Sequence, residues 1–543
     1  MKNIFQTIED FGDEILVRMT PIRVMLFGNV FLVLVLIILS NLQVLPLRLW
    51  DFIFFSVLFF LLALYRSGFV FALLVGMLPI ETISLAPVEF GINLRPYQFF
   101  AVILFLAVLV RLVTKRIKWP LYRWCWQDIV MAVFLLSGFI MIPFLPSSLI
   151  HSTVLKQSFI LLSFGLLYFL GRVFLKKSSD AGIAVSFFLS SIFVVVCYAL
   201  WQNIRFTMNL PHFEVMPGRP NGTFPEADFF GGVLAAVVAG MTPFGLAFFF
   251  HGRASLARKF SFGFFLFFLF MILILTVARS GWLAAAIGII VAGSVFFWRN
   301  GIVEALRLWN TEVLWRGVRG KLFIGVPILL ATLTVSLFGL TNFNLLDRGG
   351  SIASGLQKIT VSCSSDVMLP EKISGIEALD AYGCRHIDLE EIGTERVNGR
   401  FVSETFRDDP NISVRKNLYR EAWMLIRDHP ITGIGWGNTS HFFGTDGRGA
   451  GMNASNVFLE VWLGSGVFGF FAFMIFWFSF LILLMKYIIQ YDEKDDTVIA
   501  ISLIASFVAI TVFNSFNSGL LLGSLWIFFS VLVWFSHAVN SKS

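Results

Sequence analysis

Apolar runs of about 17 to 24 residues follow one another along almost the whole chain, separated by short polar links. An α-helix rising 1.5 Å per residue needs a run of that length to cross a hydrocarbon layer about 30 Å thick. The pattern predicts about fourteen spans. Their centres fall near Leu34, Leu58, Val75, Phe105, Phe134, Ser163, Ile192, Val238, Leu266, Ile289, Leu330, Ile475, Ala505 and Phe528. The thinnest division is "YRSG" (65–68), the whole link between the second and third runs. One stretch, 342–452, is polar and long enough to fold outside the bilayer. The expected fold is an all-α integral membrane protein, a polytopic bundle of about 12–14 transmembrane helices. Residues 1–341 and 453–543 form its helices, and 342–452 form one large loop.

Composition sharpens this reading. The chain is 57% hydrophobic and 14% charged, with mean hydropathy +0.81, against a soluble domain nearer half apolar and a quarter charged. A net charge of +7 over 543 residues is modest. No basic stretch is interleaved with aromatics, so nucleic-acid binding is not expected. Neither C-x-x-C nor H-E-x-x-H occurs, so no metal site or other cofactor is expected. The N-terminus, "MKNIFQTIEDFGDEILVRMTPIR", mixes charges and lacks a small-residue cleavage site. It reads as the approach to an uncleaved signal-anchor.

Lysines and arginines orient such a chain, because short cytoplasmic loops hold them. Clusters at 111–123, 172–177, 253–259 and 299–321 fall on alternate loops, as a single threading requires. Both termini are then cytoplasmic. The 342–452 segment, the 202–226 loop and the turn at Arg279 face outward. Outward loops carry few cations, so Arg205, Arg219 and Arg279 stand out there. An unpaired arginine at mid-bilayer costs roughly 3 kcal/mol, which places Arg279 near the outer interface, in a cavity or beside an anion. The bland alternatives are a snorkelling anchor for Arg279 and a solvated loop charge for Arg219.

Within the long loop, Cys363 and Cys384 bracket "CSSDVMLPEKISGIEALDAYGC". In an oxidising compartment a disulfide there would contribute roughly 3 kcal/mol by restricting the unfolded chain, stapling an insertion too small for a proper core. Further on, Leu418, Ala422, Trp423, Leu425 and Ile426 recur at helical spacing, predicting an amphipathic helix that lies on the membrane surface or caps the spans. Pro430 and the glycines 433, 435 and 437 end it in a turn.

Four motifs stand in order: "R-x-x-G-T-F" (Arg219 to Phe224), "T-V-A-R-S-G" (276–281), "RKNLYREAWMLIRDHPITGIGWGN" (415–438) and "NVFLEVWLGSGVFG" (456–469). Together they resemble the O-antigen ligase and O-antigen polymerase superfamily, whose architecture is GT-C-like. The resemblance covers Met216 to Phe480 by motif. It implies a metal-independent glycosyltransferase of the bacterial inner membrane that acts at the outer face. The donor would be a polyprenyl-diphosphate-linked glycan, the acceptor a glycan or lipid, and the surroundings membrane lipids. It assigns diphosphate contacts to Arg219 and Arg279. The sequence departs from the pattern twice. Ser455 stands where ligases carry a histidine, which leans the reading toward a polymerase, and "PEAD" (225–228) replaces a common Pro-Asn.

The chemistry suits these residues. Breaking the bond between sugar C1 and a phosphate oxygen gathers negative charge on the leaving group, which fixed cations can absorb. Arginine is always protonated, and its planar fork matches phosphate oxygens. Arg448 is a candidate third contact. His441, Glu226 and Asp228 are candidates to activate the acceptor hydroxyl. Asn456 and Glu460 could bind sugar hydroxyls, with polar packing the equal alternative. A different class, a transporter or flippase of lipid-linked glycans, would show internal repeats and midplane charges. No repeat is evident, and the arginines cluster at one face. A structural scaffold is a third class.

Overall fold

The fold is known from a computed structural model, which describes residues 19–146, 149–208, 210–211, 215–216, 218–250, 255–300, 311–341, 343, 345, 355–387, 391–445, 451–490 and 494–540. Arg448 and most of the N-terminal segment read as a signal-anchor approach lie outside these residues.

Every predicted span centre falls inside a helix: α1 (Met19–Asn41), α2 (Leu49–Tyr65), α3 (Ser67–Met77), α4 (Pro96–Val113), α5 (Trp126–Ile140), α6 (His151–Phe174), α7 (Ser178–Thr207), α8 (Ala227–Phe250), α9 (Leu256–Leu275), α10 (Arg279–Arg299) and α11 (Thr311–Leu337), then, beyond the polar segment, α14 (Val457–Gln490), α15 (Lys494–Asn514) and α16 (Gly523–Asn540). Among the described residues, ten helices are long and apolar enough to cross a membrane; α2, α3, α5 and α16 are shorter apolar helices. The chain is an all-α polytopic membrane protein in its bulk. The "YRSG" division is real: Arg66 leaves helical geometry at φ −132°, ψ 61° between α2 and α3.

Between α11 and α14 the polar segment builds a small sheet of four strands, β1 (Leu356–Cys363), β2 (Lys372–Ile373), β3 (Cys384–His386) and β4 (Phe401–Asp408), in the order β2-β4-β1-β3. β1 pairs antiparallel with β3 and β4, and β2 runs parallel to β4. Ile359, Val361 and Cys363, at the two-residue period of a strand, turn inward onto Ile373, Leu379 and Cys384. Cys363 and Cys384 lie opposite each other in the β1–β3 register and form a disulfide. The insertion therefore has a small core as well as the expected staple.

α12 (Pro410–Asp428) follows β4 directly. Its buried stripe, Leu418, Ala422 and Ile426, packs on Leu145, Leu149, Val154 and Leu463, so it caps span ends. Trp423, expected on that stripe, is instead exposed and packs edge-on to Trp462. A short helix, α13 (Thr439–Phe443), follows.

The glycine series now has a cause. α14 breaks at Gly466 (φ 65°, ψ −172°), and the 431–437 turn inserts there. Ile434 N and Gly435 N both donate to Leu463 O, and Val467 N donates to Ile431 O. A Cβ on Gly433 would lie 2.3 Å from Leu463 O, and one on Gly466 2.1 Å from Ile431 O. Only glycine permits so close a backbone approach at positive φ. The inserted turn satisfies backbone groups that the broken helix leaves open.

Candidate functional site

The loop that carries Arg219 is held from three sides. Gly222, at φ 58°, exchanges two hydrogen bonds with the Gln202 side chain near the end of α7: its N donates to Oε1 (2.8 Å) and its O accepts from Nε2 (3.2 Å). Asn221 Nδ2 donates to Phe224 O at 2.6 Å, closing the turn, and Phe224 stacks on Phe230 of α8. From the third side, the N–H groups of Glu81 and Thr82 both donate to Thr223 O at 3.0 Å, while Thr223 Oγ1 donates to Pro79 O at 2.6 Å.

The 79–95 loop is itself anchored by a buried carboxylate. Glu81 accepts from Arg95 Nη1 (2.6 Å), Tyr97 Oη (2.8 Å) and Gly523 N (3.1 Å), and Arg95 Nη1 also reaches Leu521 O (2.9 Å). Burial pushes the Glu81 carboxyl up to about 7, opposed by Arg95, Tyr97 and the Gly523 N–H.

Arg219 is buried, and its guanidinium faces the α9–α10 turn. Nε donates to Thr276 O at 2.9 Å, Nη2 donates to Asp228 Oδ1 at 2.8 Å, and Nη1 lies 3.5 Å from Met216 Sδ. Three residues beyond Thr276, α10 opens with Arg279, whose Nη1 donates to Asp409 Oδ2. One turn therefore accepts a hydrogen bond from Arg219 at Thr276 and carries Arg279 three residues on. Val277, at φ 51°, occupies the left-handed region inside it, a costly conformation for a β-branched residue. The turn sits close to α8, because Gly281 and Gly231 face each other: a Cβ on Gly281 would lie 2.9 Å from the Gly231 carbonyl carbon.

Asp409 joins the sheet to the bundle. It follows β4, its N donates to Gly355 O at 2.9 Å, and its O accepts from Ile412 N and Ser413 N at the start of α12. Its carboxylate is wholly buried, whereas the Arg279 side chain is about one-fifth exposed. Arg407, on β4, is held below its ordinary value by burial, with Asp409 pulling it back up.

A second polar turn closes the site. Ser515, Phe516 and Asn517 follow α15. Asn517 Nδ2 donates to Ser280 Oγ (3.0 Å), beside Arg279. Ser515 O accepts from Asn456 Nδ2 (3.0 Å) and Tyr419 Oη (3.3 Å), and the Arg415 guanidinium lies 5.9 Å over the Phe516 ring. Burial raises the Tyr419 phenol, with Arg415 and Asn456 opposing.

The predicted residues divide accordingly. Arg219 and Asp228 are paired, and Arg219 is tied through Thr276 O to the turn that leads into Arg279. Glu226 is half-buried at the entry to α8, two residues before Asp228. Asn456 caps α14, its Oδ1 accepting from Phe458 N (2.9 Å) and Leu459 N (3.3 Å), and touches the site through Ser515. Glu460 ties the preceding loop to α14, accepting from Ala454 N (3.0 Å) and Thr439 Oγ1 (3.5 Å). His441 is exposed on α13, its ring edge-on to Phe442. Ser455, at φ 49°, accepts from Tyr419 Oη through its carbonyl at 3.4 Å. Sequence reasoning missed Asp409, Glu81, Arg415 and the 515–517 turn. Two had a local signal: Arg415 opens the 415–438 motif, and the turn shows as the polar run "NSFNSG" (514–519) between two apolar helices.

Residues 264–474 match the family described as O-antigen ligase. No curated protein and no solved structure matches the chain. The matched stretch holds Arg279, Asp409, α12 and the start of α14, while Arg219 lies before it. Within a bundle of apolar helices, residues 264–474 are thus similar to the O-antigen ligase family, and this matched stretch includes the Thr276–Arg279 turn to which both arginines are tied.

Proposed function

We propose that this chain transfers or polymerises a polyprenyl-diphosphate-linked glycan, without a metal, at the outer face of the bacterial inner membrane, with both termini in the cytoplasm. The observation that carries the reading is the convergence of Arg219 and Arg279 on the Thr276–Arg279 turn, each held by a carboxylate. Guanidiniums fixed in advance need no reorganisation when charge develops, which is where electrostatic catalysis gains its advantage.

In the proposed reaction the acceptor hydroxyl attacks sugar C1 and gives its proton to a carboxylate base, Glu226 or Asp228. The bond from C1 to the phosphate oxygen breaks, and the diphosphate leaves with the electron pair. Arg219 and Arg279 contact the phosphate oxygens as this charge grows. Charge-assisted hydrogen bonds of this kind contribute about 1.5–3 kcal/mol each. Asp228 stands beside Arg219 with its side chain about one-third exposed, and with Glu226 it forms the carboxylate pair suited to orient the acceptor hydroxyl. His441, exposed on α13, is the alternative base. Ser455 at the ligase histidine position favours a second lipid-linked glycan as acceptor, hence polymerisation. Arg448, Asn456 and Glu460 remain proposed contacts to phosphate and glycan. The test is surface polysaccharide on a gel from cells carrying Arg219→Ala or Arg279→Ala: loss or shortening of the product is expected, and wild-type product from both variants overturns the assignment.

A further inference from the structure

The Glu81 carboxylate lies outside the arginine site, yet each of its oxygens serves a different support of that site. Oε1 accepts from Gly523 N (3.1 Å), the first residue of α16, where backbone N–H groups have no partner within the helix and a negative group meets the positive end of its dipole. Oε2 accepts from Arg95 Nη1 (2.6 Å) and Tyr97 Oη (2.8 Å) at the start of α4, and Arg95 Nη1 reaches across to Leu521 O (2.9 Å). Glu81 and Tyr97 are almost wholly buried, so water offers no ready replacement for a lost bond.

From Glu81 the contacts run in two directions and meet again. Through its backbone N–H, Glu81 donates to Thr223 O, in the loop whose Arg219 reaches Thr276 O. Through Gly523 and Leu521 it holds the end of the turn after α15, in which Gly519 N donates to Asn514 Oδ1 (2.9 Å) and Asn517 Nδ2 reaches Ser280 Oγ. Thr276 and Ser280 flank Arg279 on one turn, so the path closes into a ring with Glu81 on one side and Arg279 on the other.

We infer that Glu81 is a positioning residue for the two arginines: it ties the Arg219 loop to the 515–523 turn and so fixes Arg219 relative to Arg279. The ring demands two acceptor oxygens. Glutamine has the same shape but a single acceptor, so it keeps either Gly523 or the Arg95–Tyr97 pair and turns an amide N–H toward a donor on the other side. A side chain that merely filled the space would tolerate that exchange. The effect on transfer rests on the proposed reaction; the link between the two loops does not.

Two readouts on the full-length protein in nanodiscs test this. The first is amide hydrogen exchange, which reports local opening. In Glu81→Gln exchange should speed up at least tenfold in both 219–224 and 515–523, and Tyr97→Phe, which deletes one donor and keeps the ring, should shift the same two segments less. A change confined to 79–97, or none, in either variant overturns the link. The second is the rate of glycan transfer from a polyprenyl-diphosphate donor. In Glu81→Gln kcat should fall at least tenfold with the donor KM near wild type, whereas in an Arg219→Lys background the same change should cost less than twofold. Asn29→Ala, which deletes buried bonds to Ser190 and Ser191 on α7, lowers stability away from the ring and should keep the wild-type kcat. Multiplying losses in the double variant, or an equal kcat loss in Asn29→Ala, overturns the positioning role. Wild-type transfer by Arg219→Lys would overturn the proposed reaction and the positioning role with it, and leave the link between the loops to the exchange result.

Discussion

Removing the charge of Asp409 tests whether the sheet takes part in the site. Asp409→Asn keeps the side-chain shape and leaves the backbone bonds to Gly355, Ile412 and Ser413 in place, but removes one buried negative charge beside Arg279. Deleting one partner of a fully buried pair costs about 3–5 kcal/mol. Because the Arg279 side chain is about one-fifth exposed, water recovers part of this, and a stability loss of about 1–3 kcal/mol is expected. The effect on rate should be larger than that loss implies. A guanidinium displaced by about 1 Å from the leaving group can cost on the order of 100-fold. The assay is glycan transfer in membrane vesicles at matched protein amounts, for Asp409→Asn, Arg279→Gln and the double variant. If Asp409 works through Arg279, the double variant is scarcely slower than Arg279→Gln alone, because the two residues act as one unit. Independent, multiplying losses, or wild-type transfer by Asp409→Asn, would refute the coupling.

Other consequences follow from the same contacts. Glu81 binds its proton more tightly folded than unfolded, so its contribution to stability is full below the ordinary carboxylate value of 4.5 and is lost as pH rises through about 7. The loss is at most about 3 kcal/mol; the melting temperature should fall across that window in the wild type and stay flat in Glu81→Gln, and parallel curves would contradict the burial argument. Replacing Cys363 and Cys384 together by serine removes a link across 21 residues of sequence, worth about 3 kcal/mol. Limited proteolysis should then cut within 355–409 sooner, with transfer reduced through the Asp409 junction; unchanged proteolysis would deny the sheet its dependence on the bond. Gly281→Val forces α10 away from Gly231 and carries Arg279 with it, so transfer should drop at least tenfold in protein that still reaches the membrane, and wild-type rates would show that the close approach is dispensable.

What was legible in the sequence follows from how local each signal is. Span centres could be read because a run of apolar side chains matches the hydrocarbon thickness without reference to any partner. Arg219 and Arg279 were legible as cations on links that otherwise avoid them. The sheet was not, since Thr360 and Ser362 are buried alongside Ile359 and Val361 and blur the strand period. Asp409 gave no sign of its role, because its partner lies 130 residues earlier. Glu81 was hidden for the same reason: its ligands come from positions 95, 97 and 523. The 433–437 glycines announced a turn, but their purpose depends on the break at Gly466, which a long apolar run conceals. Trp423 misled because hydrophobicity alone does not tell a core-facing side from an exposed one.

The most direct measurement is the initial rate of glycan transfer from a purified polyprenyl-diphosphate donor by protein in nanodiscs, comparing the wild type with Arg219→Lys and Arg279→Lys. Lysine keeps the charge but not the planar fork. Transfer by the wild type and a drop of at least tenfold in each variant is the predicted result; no transfer by the wild type, or undiminished rates in both variants, would contradict it.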